Sequence, residues 1–240
     1  MLHIGRCGSS VIGRMLNAHP RIYWAGEIFE DYSHGEKDTD RDEFVKQLYY
    51  PECRREITRV FGFETKYLPQ QHLSGNCINM ELGEYITLLR KIGVTRFIVL
   101  HRRNYLRHTI SFLVGAQTKQ WHSSDRATSP TRVHIDVNNL RTEQRRQPLL
   151  QLFHDLDEEY NKLQRLLAED DVLYLIYEED VLENPAIAYR KICRFLGVSE
   201  ESPGIELQRT NPFSYREMVD NFDEVEAALA GTRYGWMLND

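Results

Sequence analysis

The chain has 240 residues, 41% of them hydrophobic, enough to bury one good-sized core, so a single α/β domain over 1–240 is expected. A net charge of −6 argues against a general nucleic-acid binder, and no apolar run is long enough to span a bilayer. Four cysteines (Cys7, Cys53, Cys77, Cys193) lack CxxC spacing, which argues against a zinc site or redox pair and for a reducing compartment.

In chain order, Leu2-His3-Ile4 reads as a strand that runs into the small-residue turn Gly5-Arg6-Cys7-Gly8-Ser9-Ser10. Val11, Ile12, Met15 and Leu16 follow at helical spacing. A strand, a glycine-rich loop and a helix together aim backbone N–H groups at a phosphate, with the helix dipole favouring the anion. Ser9 and Ser10 add hydroxyls and Arg6 a fixed charge. The turn starts almost at Met1, which leaves no room for a targeting peptide and predicts a cytoplasmic chain.

His19-Pro20 stops the helix, and Ile22-Tyr23-Trp24 predicts a short strand before Gly26-Glu27-Ile28-Phe29. Residues 33–42 read as loop. Phe44, Val45 and Leu48 predict a small helix and Ile57, Val60 and Phe61 a second, whereas Phe61 to Tyr67 alternates as a strand should. Leu82, Tyr85, Ile86, Leu89 and Ile92 mark a helix closed by Gly93.

Phe97-Ile98-Val99-Leu100 predicts a central parallel strand, ending in His101-Arg102-Arg103-Asn104 and leading into a helix with Leu106, Ile110, Leu113 and Val114. Ligands sit at such crevices in open α/β sheets. The polar stretch around 117–140, with Trp121 and His122, predicts a lid or specificity segment. Leu149 to Leu167 marks the longest amphipathic helix, and Val172 to Tyr177 another buried strand. Asn184-Pro185 opens a helix that Gly197 closes, and a final helix is expected from Met218 to Leu229. Strands alternating with helices predict a three-layer α/β sandwich around a mainly parallel sheet, with a P-loop-like turn.

Three chemistries use such a turn. A kinase or GTPase needs G-x-x-x-x-G-K-[ST], but Gly5 and Gly8 are too close and no Gly-Lys-Ser/Thr follows. A cysteine phosphatase needs five residues between thiolate and arginine, and Cys7 and Arg14 have six. The third is sulfuryl transfer. The order Arg6-x-Gly8-Ser9-Ser10, then Arg103 and Ser111, then Tyr177-Glu178-Glu179 … Pro185 … Phe195-Leu196-Gly197, resembles the sulfotransferases that use 3′-phosphoadenosine 5′-phosphosulfate (PAPS). The stretch Trp24-Ala25-Gly26-Glu27-Ile28-Phe29 is similar to the bacterial carbohydrate branch, which includes trehalose and nodulation-factor enzymes. The steroid and phenol branch has a histidine before Leu-Pro, where this chain has Tyr67.

The resemblance implies a PAPS-dependent sulfotransferase that acts on a hydroxyl of a carbohydrate or glycolipid-like acceptor without a metal and releases adenosine 3′,5′-bisphosphate. It implies that Glu27 is the general base, and that Arg6, Cys7, Gly8, Ser9 and Ser10 hold the 5′-phosphosulfate end. Arg103 and Ser111 bind the 3′-phosphate, and eight-residue helical spacing would bring the two onto one face. Lys66 reaches the sulfuryl group, Tyr177 touches adenine or is a core tyrosine, and Arg233 and Tyr234 lie where the family closes a loop over the nucleotide. A kinase that has lost its lysine and a non-catalytic nucleotide-binding module are the alternatives.

Overall fold

The computed structural model describes residues 1–29, 59–119, 129–142, 145–202 and 213–239. The helices expected around Phe44 and Leu48, with Ile57, Trp121 and His122, lie outside the described residues. The first elements are β1 (Leu2–His3), α1 (Ser9–Asn17), β2 (Ile22–Glu27), β3 (Val60–Lys66), α2 (Leu82–Lys91) and β4 (Arg96–His101). They are followed by α3 (Tyr105–Thr118), β5 (Leu140–Arg141), β6 (Arg146–Gln147), α4 (Leu149–Leu166) and β7 (Asp171–Ile176). A π-turn (Tyr177–Val181), α5 (Ala186–Leu196), α6 (Tyr215–Met218), α7 (Phe222–Leu229) and a 3-10 turn (Gly235–Leu238) complete the series. Among the described residues, no helix is long and apolar enough to cross a membrane.

The chain forms two compact units, one of residues 1–102 and 161–205, the other of 103–160 and 206–240. The first holds a five-stranded sheet in the order β2-β3-β1-β4-β7, with every neighbouring pair parallel. After β3 the chain crosses to the other side of β1, so the switch point lies between β1 and β4. Helices cover both faces. Thr65 bonds Tyr85 of α2 at 2.8 Å on one face, and Glu64, pointing the other way, lies under Gly13 of α1. A Cβ at Gly13 would collide with the Glu64 carboxylate and crowd Trp24, so α1 lies close to the sheet there. The expected α/β sandwich with its central parallel sheet is present.

Two elements differ from the sequence expectation. Val60 and Phe61 belong to β3, because they pair with Ile22 and Tyr23 of β2, and strand pairing overrides their helical spacing. The final helix is two helices, α6 and α7. Val219 between them forms a parallel bridge with Val133, whose N–H donates to the Met218 carbonyl at 2.7 Å. Backbone groups committed to that bridge cannot continue the helix.

In the second unit, Tyr105, Phe153 and Tyr234 pack ring against ring, and Asp157 accepts from the Tyr105 hydroxyl at 2.9 Å and the Tyr234 hydroxyl at 2.7 Å. The expected lid segment begins inside α3, which runs to Thr118, and its described part contains the buried Val133, Ile135 and Leu140.

Candidate active site

The carboxyl ends of β1, β2 and β3 carry the chemistry of the first unit. β1 passes directly into a tight turn in which Gly5, Arg6 and Gly8 all have positive φ (77°, 47° and 84°). Glycine adopts this conformation freely, but Arg6 pays roughly 1–2 kcal/mol for it, and such strain is held only by surrounding contacts. Here Arg102 Nη1 donates to the Arg6 carbonyl at 2.6 Å, while its guanidinium lies 4.4 Å from the centroid of the Tyr177 ring. Gly8 N-caps α1 without a side-chain bond, and the first turn holds no acid. Its N–H groups therefore favour an anionic ligand. Burial, then the neighbouring Arg102 charge, lowers the pKa of Arg6, which marks a crowded positive region at the loop.

The face is assembled by register. Glu64 and Lys66 are two apart on β3 and point the same way, and His3 pairs with Lys66 across the parallel ladder. Glu27 joins them through one extra residue in β2. Trp24 pairs with Gly62 but Glu27 with Glu64, and Gly26 absorbs the extra residue at φ 70°. Trp24 then lies over Gly62, where a Cβ would collide with its ring.

Glu27 sits at the centre, its side chain 15% exposed and so reachable by a substrate. Lys66 Nζ lies 2.7 Å from Glu27 Oε2, His72 Nε2 3.6 Å from the same oxygen, and His3 Nε2 3.9 Å from Oε1. Behind it, the buried Glu64 accepts from Trp24 Nε1 at 2.7 Å and faces His3 Nε2 at 3.4 Å. Each histidine takes a backbone N–H at Nδ1, His3 from Gly5 and His72 from Lys66, both at 3.0 Å.

Burial works to raise the Glu64 pKa, yet the His3 and Trp24 contacts leave it below the usual carboxylate value. Burial, then the Lys66 and His3 charges, lowers His72 to about 3, so its ring is neutral. For His3, burial opposes a charge while Cys7 and Glu64 favour one and raise the ring to about 9. The Gly5 N–H at Nδ1 weighs against that second proton, since a protonated Nδ1 has no lone pair to accept it.

Of the expected residues, Arg6, Cys7, Gly8, Ser9, Ser10, Glu27, Lys66 and Tyr177 fall in the first unit. Cys7 is fully buried, so its thiol is closed off from a ligand. Tyr177 opens the π-turn, its ring against Gly8, where a Cβ would stand 3.2 Å from it. In the acidic cluster after β7, buried Asp180 is structural: it accepts from the Ile176 N–H at 2.8 Å and from Lys191 at 2.7 Å.

Arg103, Ser111, Arg233 and Tyr234 fall in the second unit. Arg103 precedes the N-cap Asn104, so helical phase does not align it with Ser111 as the spacing suggested. Arg233 pairs with Asp157, and the 3% exposed Tyr234 gives its hydroxyl to the same carboxylate. His3, Glu64, His72 and Arg102 were not singled out from the sequence. A glutamate directly after the apolar run Val60-Phe61-Gly62-Phe63 was the available signal for Glu64, and none marked His72.

Three atoms of metal-ligand type, from His3, Glu27 and Glu64, lie within 4.8 Å of one another. Lys66 and the Trp24 N–H already engage the two carboxylates, so a cation would have to displace Lys66.

No family model matches the chain. Along 98% of its length it is similar to nodulation protein H of Rhizobium tropici, with 26% identity over 245 residues and 90% of that protein covered. A solved sulfotransferase structure from Alicyclobacillus acidocaldarius aligns with 99% of this chain and 93% of its own, at 16% identity and a TM-score of 0.48. The sequence relationship to nodulation protein H runs over nearly the whole of both chains.

Proposed function

We propose that the protein transfers the sulfuryl group of PAPS to a hydroxyl of a carbohydrate or glycolipid-like acceptor, with Glu27 as the general base. One observation carries this reading: a partly exposed carboxylate in contact with an ammonium, at the same carboxyl end of the sheet as a phosphate-type turn whose helix has no side-chain cap. Lys66 connects the two parts, since its Cε would stand 3.4 Å from a Cβ at Gly5. The name of the Rhizobium relative fits a sugar-derived acceptor.

The reaction is an in-line displacement. The acceptor oxygen forms the new S–O bond, its proton passes to Glu27, and the bridging S–O bond breaks with its electron pair going to the 5′-phosphate. Arg6 and the N–H groups of residues 7–10 hold that growing charge without reorganising. Lys66, now on Glu27, moves to the sulfuryl oxygens as the donor arrives and leaves the carboxylate open to the acceptor proton. Ser9, Ser10 and Tyr177 line the donor end. Arg103 and Ser111, with Arg233 nearby in sequence to the closing loop, bind the 3′-phosphate. Tyr234 orients that loop through Asp157.

Adenosine 3′,5′-bisphosphate is expected to raise the melting temperature without added metal, and ATP with Mg²⁺ to leave it unchanged. A shift with ATP–Mg²⁺ alone rejects the proposal. An acceptor screen with labelled donor, sugars and glycolipids first, then identifies the second substrate. Arg103→Ala is expected to weaken adenosine 3′,5′-bisphosphate binding by ~1.5–3 kcal/mol, the scale of a hydrogen bond to a charged group. Calorimetric titration checks this, and native affinity in the variant removes Arg103 from the site.

A further inference from the structure

Resting on the reading of the first turn as the donor-binding loop, we infer that Arg102 is a positioning residue for that loop. Its guanidinium, laid over the Tyr177 ring, holds the Arg6 carbonyl and so keeps Arg6 in the left-handed backbone conformation in which the loop binds the donor. In this role Arg102 acts through Arg6 and not through its own charge on the donor.

The sheet brings the three residues together. β4 and β7 pair in parallel as far as His101 and Ile176, so Arg102 and Tyr177 leave neighbouring strands at the same level. The Arg102 guanidinium lies 4.4 Å from the Tyr177 ring centroid, and its Nη1 donates to the Arg6 carbonyl at 2.6 Å. Arg102 is 6% exposed, a burial that arginines reach when their side chains are engaged. A planar guanidinium can stack by its face and donate from its edge at once, which the compact ammonium of a lysine cannot do. The Tyr177 ring also braces the turn itself, since a Cβ at Gly8 would stand 3.2 Å from it.

What Arg102 holds is strained. Arg6 has φ 47° between two glycines, Gly5 and Gly8, that adopt positive φ without penalty. Released, an arginine at this position favours negative φ by roughly 5–30 to 1. The Arg6 carbonyl and the Cys7 N–H belong to one planar peptide unit and point opposite ways. Pinning the carbonyl therefore fixes the direction of the first of the N–H groups proposed to hold the 5′-phosphate. A donor loop with its amides already aimed binds without reorganising.

The test uses the full chain with Arg102→Met, which keeps an unbranched side chain and removes the donor and the charge. The one-bond Cα–Hα coupling of Arg6 reports the sign of φ and is read by NMR in the free protein. It is expected to move from the positive-φ toward the negative-φ value. Affinity for adenosine 3′,5′-bisphosphate, read by calorimetry, is expected to fall by about 5–30-fold, because binding must then select the minor conformer. Glycine takes either sign of φ about as readily, so in an Arg6→Gly background Arg102→Met is expected to lower affinity by at most about twofold. Arg6→Gly itself weakens binding by loss of a cation, and the comparison is the ratio within each background.

A native Arg6 coupling in Arg102→Met overturns the inference. Equal losses of affinity in the two backgrounds also overturn it, because an arginine that meets the donor by its own charge does not depend on the residue at position 6. If Arg102→Met fails to fold, Arg102→Lys keeps the charge without the planar fork, and a native coupling there overturns the inference in the same way. The coupling needs no nucleotide. A chain that does not bind adenosine 3′,5′-bisphosphate, but whose Arg6 coupling moves in Arg102→Met, counts against the proposed function and leaves the hold on Arg6 standing.

Discussion

Glu27→Gln is expected to lower kcat for sulfuryl transfer by about 10²–10⁴-fold, the range that a general base supplies, while affinity for adenosine 3′,5′-bisphosphate stays near native. Glutamine keeps the shape of the side chain and the two contacts at its carbonyl oxygen but cannot take the acceptor proton. The carboxylate's partner Lys66, 2.7 Å away, loses a counter-charge and gains freedom to bind the donor, so donor affinity is not expected to fall. The split is the informative part. A variant with full turnover removes Glu27 from the proton transfer, and one that fails to bind the nucleotide makes Glu27 a structural residue of the turn.

Glu64→Ala is expected to cost about 3–5 kcal/mol of stability, the cost of removing one partner from a buried charge network. Glu64 is 3% exposed, takes the Trp24 N–H at 2.7 Å and faces His3, so truncation leaves a buried indole N–H and imidazole unpaired and opens a void under Gly13 of α1. At roughly 2–4 °C per kcal/mol for a chain of this size, the melting temperature falls by about 6–20 °C. The same residue sets a pH dependence. Its folded pKa lies below the ordinary 4.5, so its contribution is fully present above about pH 4.5 and is lost as the pH falls through the lower folded value. Thermal unfolding followed from pH 7 downward checks both parts, with Glu64→Gln as the isosteric control. An acid limb identical in the native chain and in Glu64→Gln rejects the pH claim, and an unchanged melting temperature in Glu64→Ala rejects the network.

The parts of the fold that were legible are those whose cause is local. The turn at Gly5 to Gly8 combines residues able to adopt positive φ with an immediately following helical period, and a few neighbours suffice to specify it. Gly93 and Gly197 end their helices at φ 91° and 73°, where side chains are disfavoured, and both ends were readable. Local period misled at Val60 and Phe61, where spacing alone left helix and strand undecided until β2 supplied a pairing partner. It misled again at Val219, where the bridge to Val133 broke a continuous helical pattern.

For the candidate site, the sequence proposed Arg6 and the loop from the glycine turn, Glu27 from the family resemblance and Lys66 from its place at a strand end. It was insufficient for His3, Glu64, His72 and Arg102. Their meaning arises from contacts across the sheet: 40 positions separate Trp24 from Glu64 and 96 separate Arg102 from the Arg6 carbonyl. Parallel register and the extra residue at Gly26 decide that His3, Glu27, Glu64 and Lys66 share one face, and a slip of one residue would send any of them to the other. Backbone conformation is written in neighbours and can be read from them. The surroundings of Glu27 depend on which strands pair, and only the folded sheet settles that.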